Sequence, residues 1–292
     1  AFIWGADYIL IINNDALIED KNLLTGMIAG FKSDQSIGVI SPKIYFAPNF
    51  EFHKDRYKKE DLGKVLWYGG AKFDWKNIRS IHQGLDEVDT GQFSNFQEVD
   101  MVTGCCMMIK REVLEKVKKP EAGSGFFDDN LFLYFEDIDF AERVKKAGFK
   151  IYYDGRVAIY HKASQSAGIG SEITDFFHTR NRLIIGFRYA SLRTKLALIR
   201  ESVKFLLFGR KAQRAGVWDF FWGEKGASKR YIKEIKQEEY QTKLSICIVS
   251  YNTADLTKNL LNSIFKSDSG FDEKSMEVIV LDNGSEDNCQ EA

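Results

Sequence analysis

The sequence predicts an α/β protein in which a mostly parallel sheet is flanked by helices. A strand-length apolar run at 7–12 is followed by helical spacing of apolar residues over 20–33 and by a second strand over 37–45. The same strand, helix, strand order begins again at Leu244. Continuous apolar strands are typical of sheets that are covered on both faces, and such sheets are usually parallel.

The remaining elements follow from the same periodicities. Residues 46–98 combine aromatic and charged residues with Gly69-Gly70, which favours hairpins and loops over the sheet edge. In chain order the other expected elements are a strand over 99–109, a helix over 110–117, a helix over 136–147 with Gly148 as its C-cap, strands over 151–153 and 157–160, two amphipathic helices within 172–208, and a charged helix over 225–240.

The composition is that of a globular protein. Of 292 residues, 44% are hydrophobic and only three are Pro, and the 23 Phe, 12 Tyr and five Trp exclude a disordered segment. The four Cys form no CxxC pair, and the vicinal Cys105 and Cys106 are expected to be buried, reduced thiols. A cytosolic compartment is therefore expected.

The net charge of −1 conceals a basic region. Residues 175–240 carry 15 Lys and Arg against seven Asp and Glu. Basic helices of this kind are either solvated or lie on an anionic membrane surface, and both interpretations stay open. No apolar run of about 18 residues occurs, so we expect a protein on the cytosolic side, with peripheral contact to the inner face of the cell membrane as a secondary expectation.

Polar residues follow the first strand. Asn13, Asn14 and Asp15 are ordinary turn formers, but they also stand where a buried strand ends. A carboxylate at that position supplies the hard oxygen ligand that Mg²⁺ or Mn²⁺ prefers. Asp15 is the first candidate metal ligand.

Three carboxylates lie at the start of the helix predicted over 136–147. Glu136, Asp137 and Asp139 would complement the helix dipole, which explains one acidic residue better than three. A hydroxyl group needs a base such as a carboxylate to become a nucleophile at neutral pH. Asp137 fits that role, with Glu136 as the alternative.

His161 closes a predicted strand 24 residues after Asp137. A lone His is commonly a structural hydrogen-bonding residue. At a strand end on the edge where Asp15 emerges, it is also a candidate second metal ligand.

Five separated motifs carry a family resemblance. They are GADYILIINND (5–15), VTGCCMMIKREVLEKV (102–117), LFLYFEDIDFAERVKKAGFKIYY (131–153), His161 and TRN (179–181). Their order resembles the family-2 glycosyltransferases, especially rhamnosyltransferase-like members that build cell-surface polysaccharides. The resemblance spans residues 1 to about 225.

The resemblance implies a GT-A fold and inversion at the anomeric carbon of a nucleotide-diphosphate sugar. It implies that Asp15 and His161 hold a divalent cation, that Asp137 or Glu136 is the base, and that Asn13, Asn14 and Gly104 belong to the donor site. Because the motif reads Asn-Asn-Asp rather than Asp-x-Asp, it offers fewer charged ligands.

The C-terminal tail resembles the first two strands of the same family. LSICIVSYNTADLTKNLLNSI (244–264) and VIVLDNGSED (278–287) are the segments that would line a nucleotide pocket. The residues implied in that pocket are Ser250, Tyr251, Asn252, Asp282, Asn283 and Ser285. In the family this segment precedes the Asn-Asn-Asp motif, whereas here it follows.

The order of the motifs predicts three parts. Residues 1–225 would be the C-terminal two-thirds of a GT-A domain with trailing helices, 226–242 a helical linker, and 243–292 the start of a second GT-A domain. A permuted single domain is the alternative. A tandem arrangement is favoured, because neither end contains the strand-helix-strand stretch that would join the two halves.

The sequence therefore predicts metal-assisted sugar transfer to a hydroxyl of a polysaccharide or lipid-linked glycan, with no nucleic-acid partner. A binding module that has kept the fold without chemistry is the second hypothesis. A dinucleotide oxidoreductase is disfavoured, since Ser250-Tyr251-Asn252 is not a glycine-rich turn.

Overall fold

The protein is described by a computed structural model covering residues 6–13, 15–118, 126–162, 171–228, 244–250, 257–259, 261–262 and 276–282. It divides into two compact units, 1–232 and 233–292. Asn14 and four tail positions named above, Tyr251, Asn252, Asn283 and Ser285, lie outside the described residues. The predicted assignment of the segments to parts of two GT-A domains stays a prediction.

The first unit is built on a seven-stranded sheet and a separate two-stranded hairpin. The strands are β1 (Tyr8–Ile12), β2 (Ala16–Leu17), β3 (Ile37–Phe46), β4 (Leu66–Tyr68), β5 (Ala71–Asp74), β6 (Arg79–His82), β7 (Phe96–Glu98), β8 (Cys106–Lys110) and β9 (Lys150–His161). The sheet runs in the order β1-β8-β3-β9-β2, with β4 on β3 and β7 on β9, and β5 pairs with β6.

The predicted α/β class is confirmed, but the pairing is mixed rather than mostly parallel. Among the described strands of this unit, only β3 and β9 pair in parallel. β8 pairs antiparallel with both β1 and β3. A buried apolar run does not reveal strand direction, so the sequence could not separate a mixed sheet from a parallel one.

The helices are α1 (Leu23–Ser33), α2 (Arg111–Val117), α3 (Glu136–Lys146), α4 (Glu172–Tyr189), α5 (Leu192–Phe208) and α6 (Lys211–Trp222). Gly148 follows α3 with φ +88°, a backbone conformation that glycine adopts without strain, as predicted for a C-cap. Ser171 and Ser191 cap α4 and α5 by accepting hydrogen bonds from backbone N–H groups.

Two element predictions were wrong, and a third lies mostly outside the described residues. The strand predicted over 99–109 begins only at Cys106, and the two strands at 151–153 and 157–160 are one strand, β9, whose pairing register shifts opposite Pro42. The charged helix predicted from 225 does not include 225–228, and α6 was not expected as a separate helix. Aromatic residues on most sides of α6 hide its helical period.

The core lies between the sheet and the helices that cover it. Met27 and Phe31 of α1, Ile40 of β3 and Phe140 of α3 are fully buried. Complete burial of such side chains contributes about 1.5–3 kcal/mol each. The rigid sheet that results is what fixes the strand ends where the candidate site is found.

The second unit contains a parallel pair of strands, β10 (Leu244–Ser250) and β11 (Met276–Asp282). Residues 257–259 and 261–262 are helical. This is the strand, helix, strand order predicted for the tail, and it places Ser250 opposite Asp282 at the carboxyl ends of the two strands. Among the described helices of the chain, none is both long and apolar enough to cross a bilayer.

Candidate active site

A cleft of about 740 Å³ opens at one edge of the large sheet. It collects residues from distant parts of the sequence: the end of β1, the residues before β8, the start of α3 and the end of β9. The predicted site residues among those that line it are Asn13, Gly104, Glu136, Asp137 and His161. The fold therefore brings together side chains that are up to 148 positions apart in the sequence.

Strand pairing sets Asp15 beside His161. β2 runs antiparallel to the end of β9, with Ala16 opposite His161. The N–H of Lys162 donates to the carbonyl of Asp15 at 2.9 Å, which fixes the loop that carries the carboxylate. Backbone pairing therefore places the side chains of the two predicted metal ligands next to each other.

The facing atoms of this pair are buried. His161 Nε2 and Asp15 Oδ1 are 3.1 Å apart, yet within the described residues neither atom makes a hydrogen bond of acceptable geometry. Buried polar atoms are nearly always hydrogen-bonded, so a pair like this requires an explanation. Two ligands of one octahedral cation lie about 3 Å apart, which fits these two atoms.

Asp15 and His161 supply only two protein ligands. In the part of the chain that the structure describes, no group of three or more His, Cys, Asp or Glu side chains is arranged to hold a metal ion. A cation that also coordinates diphosphate oxygens and water needs few protein ligands. The donor set therefore fits a cation that binds together with a diphosphate.

Aromatic residues hold the His161 ring. Trp67 of β4 packs edge-on against it with ring centroids 4.6 Å apart, and His82 of β6 packs against Trp67 at 5.1 Å. Burial lowers the pKa of His82, whose Nδ1 lies 3.3 Å from the carbonyl of Trp67. A neutral His82 adds no positive charge next to a cation site.

The first two carboxylates of α3 face the cleft. Burial, and then the proximity of Asp137, raises the pKa of Glu136, whose Oε2 has no hydrogen bond within the described residues. Burial also raises the pKa of Asp137, although hydrogen bonds from the N–H groups of Ile138 and Gly104 partly offset the rise. The Ile138 N–H donates to Asp137 Oδ1 at 2.8 Å and so orients it.

The third carboxylate of α3 has a different environment. Asp139 is fully buried, and it accepts hydrogen bonds from Arg143 Nε at 2.8 Å and Tyr189 Oη at 2.6 Å, with Arg188 also paired to it. Burial alone would raise its pKa, but Tyr189 and Arg143 hold it below the usual value. Asp139 therefore anchors α3 to α4, which leaves Glu136 and Asp137 for the cleft.

The loop that leads into α3 is strained. Phe132, Tyr134 and Phe135 have φ between +62° and +71°, a region that bulky residues rarely adopt. Such strain persists only where surrounding structure enforces it and is typical of functional sites. The residues that enforce it here are Arg180 and Asn181.

Arg180 and Asn181 are completely buried on α4. Asn181 Nδ2 lies 2.8, 2.7 and 3.0 Å from the carbonyls of Leu131, Leu133 and Tyr134. Arg180 Nη2 donates to the Leu131 carbonyl at 3.1 Å. The TRN motif thus holds the strained loop and, through it, the start of α3.

Gly104 and Asn13 also line the cleft. The N–H of Asn13 donates to the carbonyl of Cys105 at 2.8 Å, which ties the end of β1 to the residues before β8. A Cβ added at Gly104 would meet no atom within 4 Å, so glycine is not required there by neighbouring protein atoms. The open space lies beside the cleft and is available to a ligand.

Smaller cavities adjoin the large cleft. One of about 120 Å³ shares Tyr134, Glu136 and Asp137 with the large cleft. It also shares Ser80, Phe135 and His178 with a cavity of about 490 Å³. The residues that complete the lining of this outer cavity are Asn77, Ile78, Arg79 and Arg182. Glu136 and Asp137 therefore line both the large cleft and the smallest of these cavities.

Sequence reasoning missed several residues of the site. Trp67 and His82 come from the segment that was predicted only as loops and hairpins, where aromatic density was the available signal. The buried contacts of Arg180 and Asn181 could not be inferred from helical spacing, which treats a polar pair as a solvated face. Side chains of Ser250 and Asp282 are outside the described positions, so their roles stay predictions.

Residues 245–292 match the family model "Glycosyl transferase family 2". A Mycobacterium tuberculosis N-acetylglucosaminyl-diphospho-decaprenol L-rhamnosyltransferase is 32% identical over 66 residues, which cover 22% of this chain and 19% of that protein. The Haloferax volcanii low-salt glycan biosynthesis hexosyltransferase Agl10 is 29% identical over 108 residues, covering 37% and 32%. An uncharacterized Sinorhizobium fredii protein, y4gI, is 23% identical over 56% of this chain and 16% of its own length.

The matches span less than a third of each of these relatives, between 16% and 32% of their lengths. Among solved structures, GalNAc-T7 with UDP, GalNAc and Mn²⁺ aligns with 78% of this chain and 40% of its own, at 12% identity and a TM-score of 0.43. The Pyrobaculum calidifontis mannosyltransferase PcManGT, in complex with GDP-Man and Mn²⁺, aligns with 75% and 63%, at 11% identity and a TM-score of 0.33.

The family model matches the tail whose motifs resemble that family, and two of the relatives are named as a rhamnosyltransferase and a hexosyltransferase. The resemblance to family 2 predicted from the motifs is confirmed.

Proposed function

We propose that the protein transfers a sugar from a nucleotide-diphosphate donor to a hydroxyl of a polysaccharide or lipid-linked glycan, with inversion at the anomeric carbon. The observation that carries this proposal is the cleft itself. The buried His161 and two carboxylates of raised pKa line one space large enough for a sugar diphosphate, and the partly exposed Asp15, which does not itself line that space, lies beside His161 with Oδ1 3.1 Å from Nε2.

The donor diphosphate would lie on the Asp15 and His161 side. These two residues fit a divalent cation, Mg²⁺ or Mn²⁺, which when bound neutralises the charge of the departing diphosphate. Asn13 would help to position the sugar and its phosphates, and the open space at Gly104 would accommodate them.

Asp137 would act as the base. Its carboxylate is oriented by the N–H groups of Ile138 and Gly104, and burial raises its pKa toward the range in which a carboxylate accepts a proton most effectively. Glu136 is the alternative, since its Oε2 makes no hydrogen bond within the described residues. In either case the acceptor oxygen forms the new bond to the anomeric carbon while the bond from that carbon to the diphosphate oxygen breaks, and the hydroxyl proton passes to the carboxylate.

The acceptor would approach from the smaller cavities. A single displacement requires the incoming hydroxyl and the leaving diphosphate to lie on opposite sides of the sugar. Glu136 and Asp137 line both the large cleft and the small cavity, which shares Ser80 and His178 with the outer cavity. Polar side chains next to the Phe135 ring offer hydrogen bonds and a stacking surface of the kind that glycans use.

Replacement of Asp137 tests the assignment. In the full-length protein, Asp137→Asn should abolish transfer while donor binding is retained, because the amide keeps the shape of the carboxylate and one accepting oxygen but takes up no proton. Transfer is measured as the release of the nucleoside diphosphate, and donor binding is measured by calorimetry. Glu136→Gln is the matched variant, and undiminished turnover in Asp137→Asn would assign the base to another group.

A second candidate function is a donor-binding module without chemistry. The raised pKa values of two adjacent carboxylates argue against it, because a module that only binds gains nothing from keeping them buried and close together. Donor binding without turnover in the full-length protein would favour this candidate.

We also propose that the enzyme works on the cytosolic side of the membrane, where a lipid-linked acceptor would be met. The name of the mycobacterial relative includes a diphospho-decaprenol acceptor, which supports this location. The buried thiols of Cys105 and Cys106 fit a reducing compartment. The tandem arrangement of two family-2 domains stays a prediction.

A further inference from the structure

The helices after the candidate site expose a large apolar surface. Of the 15 large hydrophobic residues that are exposed in the described part of the chain, nine lie between 192 and 222. Five of them form what we call the α5 stripe: Leu192, Leu196, Ile199, Val203 and Leu207. Successive spacings of four, three, four and four residues keep these side chains within an arc of roughly 80°.

The rest of α5 shows that this stripe is not its core-facing side. Thr194, Leu198 and Ser202 are buried on the opposite face. Leu198 Cδ1 would lie 2.2 Å from a Cβ added at Gly186 of α4, so α5 is already packed against the domain through that face. An exposed stripe of five large apolar side chains indicates an interaction surface.

Charge identifies the kind of partner. Residues 192–222 carry seven Lys and Arg and two acidic residues. Glu201 pairs with Arg182 at 2.8 Å, and Asp219 is buried. Arg193, Arg200 and Lys204 are exposed on α5 beside the stripe. A protein partner would need a matching acidic and apolar surface, whereas an anionic bilayer supplies both properties at once.

The aromatic end of α6 fits the same partner. Trp218, Phe221 and Trp222 are 47%, 49% and 74% exposed, and the two indole rings pack together at 4.8 Å. Tryptophan concentrates at membrane interfaces because its ring is apolar and its N–H remains hydrated. Phe208, at the end of α5, is 82% exposed.

We propose that the α5 stripe and the basic residues beside it, Arg193, Arg200 and Lys204, lie on the surface of an anionic membrane, with α5 in the plane of the headgroups. This narrows the surface predicted from the sequence, 175–240, because α4 is held in the core by Phe176, Phe177 and Arg180. The contact is peripheral, and it does not depend on the sugar-transfer reaction proposed above.

Vesicle co-sedimentation tests the surface directly. The protein should bind vesicles of phosphatidylcholine and phosphatidylglycerol more strongly than vesicles of phosphatidylcholine alone, and added salt should weaken the binding. Val203→Glu should reduce binding about tenfold or more, because it places a charge in the stripe. Ile81→Glu is the matched control, since Ile81 is similarly exposed on β6, and it should bind as the unchanged protein does.

The charge requirement is tested in the same assay. Lys204→Gln should weaken binding to the anionic vesicles about fivefold, whereas Lys72→Gln on β5 should leave it unchanged. Circular dichroism checks that each variant is folded. Equal binding of Val203→Glu and Ile81→Glu would overturn the proposal. Concentration-dependent dimers that Val203→Glu abolishes, without any vesicle binding, would also overturn it and would assign the stripe to a second copy of the chain.

Discussion

The three acidic residues at the start of α3 have opposite environments. Asp139 is paired with Arg143, Arg188 and Tyr189, so that its charged form is stabilised and its pKa is lowered. Asp137 and Glu136 are buried beside each other, so that their charged forms are disfavoured and their pKa values are raised. Adjacent groups whose pKa values are shifted in opposite directions indicate a division between structure and chemistry.

This division predicts opposite effects on stability. A carboxyl whose pKa is raised on folding stabilises the native state at low pH, and that stability is lost as pH rises. Asp137→Asn should therefore raise the melting temperature above neutral pH, with a difference that shrinks on acidification. Asp139→Asn should lower the melting temperature above neutral pH, because it removes a charge that the native state stabilises.

Thermal unfolding of the 292-residue chain across a pH series measures both effects. The two variants remove one charge each, from positions two residues apart, so a general change in net charge would move both melting temperatures in the same direction. A lower melting temperature for Asp137→Asn at every pH would show that burial of this carboxylate is not unfavourable.

At the scale of elements, α4 serves the site although none of the predicted chemical groups lies on it. Its buried Arg180 and Asn181 hold the loop 131–135 through backbone carbonyls. That loop delivers Glu136 and Asp137 in a strained conformation that only external hydrogen bonds can maintain. The TRN motif is therefore a positioning device for the candidate base.

Asn181→Ala should separate this role from general stability. Loss of the amide leaves buried carbonyls without a donor, which should cost about 1–3 kcal/mol of unfolding free energy. Transfer in the full-length protein should lose kcat with little change in the KM for the donor, because Asp15 and His161 do not depend on the loop. The measurements are denaturant unfolding and steady-state kinetics.

Asn95→Ala is the matched control, since Asn95 is exposed and distant in sequence from the loop. It should leave both stability and kcat unchanged. If Asn181→Ala lowers stability but leaves kcat intact at a temperature where the variant is folded, Asn181 supports the fold and not the placement of the base.

At the scale of the whole molecule, the sequence predicted which segments meet but not how they are joined. Strand and helix periodicity located β1, α1, β3, α3 and the two helices after 171. The convergence of residues 13, 104, 137 and 161 followed from strand ends that share one edge of a sheet. Strand direction, the continuity of β9 and the hairpins that supply Trp67 and His82 depend on long-range pairing, which periodicity does not encode.

The buried polar contacts also could not be predicted from the sequence. The TRN motif can be recognised in the sequence, but the sequence does not show that Arg180 and Asn181 are fully buried. Likewise, three acidic residues within four positions could not be divided into an anchor and two site residues until Arg188 and Tyr189 were placed beside Asp139.

The central claim is that Asp15 and His161 form the protein side of a cation and diphosphate site. Crystals of the full-length protein grown with Mn²⁺ and UDP would test it by anomalous diffraction at the manganese edge. We expect one strong peak about 2 Å from both Asp15 Oδ1 and His161 Nε2, with the remaining ligands from the diphosphate and water. Manganese and UDP bound together elsewhere, with Asp15 and His161 joined by a direct hydrogen bond, would contradict it.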